Sequence, residues 1–104
     1  MNWKRPENKA LIDAVLALKS VDEAQRFLRD LLTEEEIAEF AKRFQTAELL
    51  SANVPYSQIQ KKTGLSSTTI ARVSKWLQGE LGGYRLIISR LHHHASHSRG
   101  RGLR

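Results

Sequence analysis

From Leu11 to Leu91 the apolar residues recur at intervals of three and four, and nowhere do they alternate as a half-buried strand would. That regularity argues against a sheet and predicts an all-α chain. Its punctuation then sets the helix lengths. Leu11, Ala14, Val15 and Leu18 line one face of a first helix beginning near Pro6. "SVDE" at Ser20–Glu23 is a capping box, opening a second helix with Ala24, Phe27, Leu28 and Leu31 inward. "TEEE" at Thr33–Glu36 is another, with three glutamates that complement the helix dipole. Ile37, Phe40, Ala41, Phe44 and Ala47 carry this third helix to about Ala52. Asn53 and Pro55 stop it and start a fourth, Pro55 to Lys62, which Gly64 ends as a left-handed cap. Ser66 caps a fifth helix from Ser67 to about Gln78, "GELGG" breaks it, and Tyr84 to Leu91 forms a sixth. From His92 the chain turns polar, glycine-rich and aperiodic, which predicts a helical domain over 1–91 and a flexible basic tail over 92–104.

A chain of 104 residues suits one domain with a modest core, which a second copy could complete. It has no cysteine, so neither a disulfide framework nor a thiolate metal site is open to it. The N-terminus lacks the apolar core and cleavage site of a signal peptide, and no run reaches membrane-spanning length. The expectation is a soluble cytoplasmic protein with no membrane partner. Nor does any phosphate loop, cysteine nucleophile or His-Glu metal pair stand in a plausible site, so neither an enzyme nor a cofactor is expected. "HHHASH" offers imidazoles at His92, His93, His94 and His97, but a loose tail supplies no fixed geometry, and only adventitious metal binding is expected there.

The net charge of +6 favours an anionic partner, and its distribution narrows the choice. Thr33 to Ser51 carries two basic and five acidic residues, whereas Ala52 to Gln78 carries four basic (Lys61, Lys62, Arg72, Lys75) and no acidic ones. The positive field thus falls on "PYSQIQKKTGLSSTTIARVSKWL", two short helices joined at Gly64. A helix-turn-helix needs a tight turn and a few buried contacts to hold its crossing angle. Ile59, Leu65, Ile70 and Val73 stand where those contacts belong, over a motif spanning about 55–78. Ser67, Thr68, Thr69 and Ala71 are left to approach base edges and thymine methyls in a major groove. Gln60, Lys61, Lys62, Arg72 and Lys75 can meet the flanking phosphates, although Gln60 is long for a helix crossing. Helix–glycine–helix patterns also occur in ordinary packed pairs. The cap at Ser66, the small polar residues behind it and the missing acids favour double-stranded DNA over a merely solvated face.

"LLTEEEIAEFAKRFQTAELLSANVPYSQIQKKTGLSSTTIARVSKWL", followed by "GGYRLIISRL", resembles the Trp repressor superfamily, in particular its small Trp-repressor-like members of the YerC/YecD type. The similarity covers about Leu11 to Leu91. It implies a six-helix, intertwined homodimer whose two recognition helices lie about one DNA turn apart, and therefore a repressor on an approximately palindromic operator. It also implies an effector pocket between the long helix and the recognition helix. Thr33, Arg43, Thr69 and Arg72 match that pocket, the two arginines at the positions that flank an indole and hold a carboxylate. Val73 stands where the family has glycine and Trp76 where it has serine, while Asp30 replaces a leucine. Both pocket changes add bulk where an indole would lie, so the slot is expected to be filled by Val73 or Trp76 and to need no tryptophan. Arg43 and Arg72 are then expected to pair with Glu36, Glu39 or a phosphate rather than to clamp a ligand carboxylate. Trp76, beside Leu77, is expected in the core. Two other readings stay open, a helical module binding an acidic protein and a repressor gated by a different small-molecule effector.

Overall fold

The computed structural model describes the backbone of residues 1–102 and the side chains of residues 1–93. Six helices and no strand occur among them: α1 (Pro6–Ala17), α2 (Val21–Leu31), α3 (Glu34–Ser51), α4 (Tyr56–Thr63), α5 (Ser67–Leu77) and α6 (Gly83–Gly102). The chain divides into two compact units, residues 1–37 and 38–104.

In the first unit the helix starts follow from local chemistry. Pro6 supplies the fixed φ of a first helical turn. The Ser20 hydroxyl accepts the Glu23 N–H at 3.1 Å, while the Glu23 carboxylate accepts the N–H of Lys19 at 2.9 Å, one residue ahead of the cap. At Thr33 the box is fully reciprocal, with Glu36 N–H on the Thr33 hydroxyl at 3.1 Å and Thr33 N–H on the Glu36 carboxylate at 2.9 Å. The apolar faces, however, do not find cover. No residue of α1 or α2 is buried. Leu11, Val15, Leu28 and Leu31 remain 43, 50, 40 and 51 % exposed, whereas periodicity places them inward.

The second unit has a core of its own. Ala47, Val73, Leu77 and Ile88 form one cluster with Phe44, Leu50 and Tyr84 against it. Ile59, Leu65 and Ile70 form the other, backed by Leu49, Leu50 and Val54. Leu50 belongs to the surroundings of both, so the C-terminal part of α3 supports α4, α5 and α6 together. Asn53 takes φ 61° and Val54 N–H returns to Leu49 C=O at 3.0 Å, which ends α3 and reverses the chain. The Arg85 guanidinium donates to the Leu77 carbonyl, tying the end of α5 to α6.

One boundary differs from the sequence reading. A last helix closing at Leu91 is corrected to one that runs on to Gly102, through the segment read as a loose tail. Histidine, alanine, serine and arginine tolerate helix, and after Leu91 the first glycine is Gly100. The side chains of His94 and His97 lie outside the described residues.

Candidate nucleic-acid interface

The α4–α5 pair is built around a turn that leaves little freedom. Gly64 has φ 74°, the left-handed conformation that suits glycine, and its N–H closes on Gln60 C=O at 2.9 Å. Thr63, itself buried, donates its hydroxyl to Ile59 C=O at 2.8 Å and accepts the Leu65 N–H at 3.2 Å. Ile59, Leu65 and Ile70 then close over one another, as the spacing predicts. Ser66 caps α5 by accepting the Thr69 N–H at 3.2 Å, and its hydroxyl also bonds the Thr69 hydroxyl at 3.1 Å. Thr69 is accordingly half-buried and tethered, while Ser67, Thr68, Ala71, Arg72 and Lys75 are exposed.

All of these exposed positions but Ser67 fall on one stripe. Thr68, Ala71, Arg72, Lys75 and Trp76 line a single open groove of about 480 Å³ along the outer face of α5. Gln60, Lys61 and Lys62 are exposed on α4. Gln60 therefore lies outside the crossing, which Ile59 and Thr63 occupy, and its length does not strain the motif. No acidic residue interrupts this surface between Ala52 and Gln78.

The expected effector positions are not equivalent. Val73 is buried against Ala47, Leu77 and Ile88. Arg43 pairs with Glu39 at 3.4 Å and sets its guanidinium 5.6 Å from the Phe40 ring centroid. The Arg43 Nε is shut off from solvent and makes no hydrogen bond, so the contact with Glu39 is a charge contact alone. Thr33, in the first unit, is engaged as the cap of α3. Trp76 corrects the sequence reading. It is 53 % exposed rather than in the core, because Leu77 takes the inward position and Trp76 falls eight residues from Thr68, on the outer stripe. The spacing 68–72–76 carries that signal, which adjacency to Leu77 obscures. Trp76 also borders an apolar groove of about 440 Å³ with Leu81, Gly83, Tyr84 and Ile87. Tyr84 meets Phe44 with ring centroids 6.4 Å apart, which makes it a packing residue.

Comparison with known proteins converges on one group. The sequence model described as Trp repressor protein matches residues 7–92. The uncharacterized Bacillus subtilis protein YerC is 35% identical over 81 residues, which is 78% of this chain and 78% of that protein. A crystal structure of a TrpR-like protein from Eubacterium eligens superposes with a TM-score of 0.81 at 37% identity, over 86% of this chain and 92% of that one. A candidate Trp repressor from Staphylococcus aureus gives 0.80 at 30% identity, over 88% and 95%.

Proposed function

The chain belongs to the Trp repressor family, and we propose that it is a sequence-specific DNA-binding transcriptional regulator, a cytoplasmic repressor that occupies a palindromic operator as a homodimer. One observation carries this reading, the exposed stripe of α5. Short polar side chains lie at its N-terminal end, arginine and lysine follow, and a buried cluster of Ile59, Leu65 and Ile70 fixes the helix that bears them. In this role Ser67, Thr68 and Ala71 read bases, Thr69 supports them through its bond to Ser66, and Gln60, Lys61, Lys62, Arg72 and Lys75 set the register on phosphates.

The homodimer is supported by the apolar faces that a single chain leaves open. Leu11, Val15, Leu28, Leu31 and Phe40 are each two-fifths exposed or more, at helical spacing, and apolar surface of this extent calls for a covering partner. Two copies present two reading helices, and so a two-fold-symmetric site. Independence from tryptophan is supported by Val73, whose side chain is packed into the core where the family has glycine. With that slot closed, α5 is held by the protein's own residues.

Selection of bound duplexes from a randomised pool, at physiological salt with and without tryptophan, tests the proposal. A palindromic consensus in both arms is expected. A consensus only with tryptophan overturns the closed-pocket reading, and no enrichment in either arm overturns unaided DNA recognition.

A further inference from the structure

We propose that Trp76 is a DNA-contact residue, its indole packed against the sugar–phosphate wall of the groove that α5 enters. The inference rests on the DNA-reading role above and adds a contact to it. Trp76 is more than half exposed, yet it shares one groove with Thr68, Ala71, Arg72 and Lys75. Two cations beside it and no acid on α4 or α5 make a polyanion the complementary occupant.

Its position on the helix selects the wall over the floor. Recognition helices place their N-terminal residues on base edges. From Thr68 to Trp76 is eight residues, so Trp76 lies about 12 Å further along the axis at the α-helical rise. The major groove is itself about 12 Å wide, so a helix with Thr68 at the base edges brings Trp76 to the backbone. An indole suits that place. Its face covers deoxyribose carbons, and its single N–H donor can reach a phosphate oxygen. The folded chain leaves it available, since Leu77 takes the inward position beside it. The competing occupant is a second copy of this chain, seated on the apolar groove that Trp76 shares with Leu81, Tyr84 and Ile87.

Trp3 and Trp76 are the two tryptophans, so Trp3→Phe leaves Trp76 as the sole indole reporter. Binding of a short labelled duplex is followed independently by anisotropy. At saturation we expect quenched Trp76 emission and reduced acrylamide access. Trp76→Ala should weaken binding roughly tenfold with the salt slope intact, and Trp76→Phe should recover most of that loss. Lys75→Ala, by contrast, should flatten the slope by about one. Circular dichroism confirms that each variant is folded. An unchanged indole signal at full anisotropy change overturns this contact and leaves the DNA role standing. An indole already shielded in the free protein also overturns it and assigns Trp76 to the second copy. Absence of any duplex binding overturns the DNA role and this contact with it.

Discussion

Gly64→Ala isolates the backbone contribution to the α4–α5 turn. At φ 74° an alanine pays the left-handed penalty, on the order of 1 kcal/mol. A Cβ added there meets nothing within 4 Å, so no steric cost adds to it. Alanine also restricts the unfolded chain, which offsets about 0.5 kcal/mol of the loss. The net expectation is a destabilisation of about 0.5–1 kcal/mol, or a fall in Tm of roughly 2–5 °C for a chain of this size. Gly64→Asn should fall between wild type and alanine, because asparagine visits this conformation more readily. Urea denaturation followed by circular dichroism, at one fixed protomer concentration, measures all three proteins. A loss above about 3 kcal/mol would require a clash that the open space around Gly64 does not permit, and would refute the assigned turn. No loss at all would mean that the turn is not left-handed.

Further expectations concern the core, the reading face and the second copy. Ile70→Ala empties a fully buried site shared with Ile59 and Leu65, and should cost about 2–4 kcal/mol in the same denaturation experiment. Thr68→Ala should reduce the ratio of selected to random duplex affinity, whereas Lys61→Ala should weaken both alike and flatten the salt dependence. Equal weakening of both duplexes by the two variants would refute the assigned readout. Leu31→Glu places a charge on an apolar face left open in the single chain, and should lower the mass seen by sedimentation while retaining helical circular dichroism. A wild-type protein sedimenting as a monomer would sink the argument from uncovered faces.

The helices were legible because period and caps agreed. Thr33 with Glu36, Ser66 with Thr69, and Gly64 in its left-handed turn are all local chemistry, and each forms between residues no more than four apart. The inward set Ile59, Leu65, Ile70 and Val73 was legible for the same reason. Adjacency was the weaker guide. It put Trp76 with Leu77 in the core, although the two lie a hundred degrees apart on a helix and only one can face inward. The end of α6 was obscured because no glycine or proline marks it before Gly100, so composition suggested a tail where the backbone continues helical. The apolar faces of α1 and α2 could be read from period alone, but period does not say whether one chain covers them, and here it does not.

That contrast has a functional consequence. The residues that fix α5 lie between Phe44 and Ile88, and the clusters they form are closed within one chain. Leu50 ties the two clusters together, and the Arg85 bond to Leu77 C=O anchors the far end of the helix. Within one chain, α5 is therefore packed against α3, α4 and α6. The open faces of α1, α2 and Phe40 lie outside those clusters. In the proposed dimer, substitutions there should change how the two copies of α5 are spaced while leaving each helix intact. Affinity for a single half-site and discrimination of the whole palindrome then become separable quantities. In a repressor gated by an effector that orders its reading helix, they would move together. A protein whose half-site affinity survives disruption of the α1–α2 face, while its palindrome preference is lost, fits the closed core around Val73; parallel loss of both would show that α5 borrows its support from the second copy.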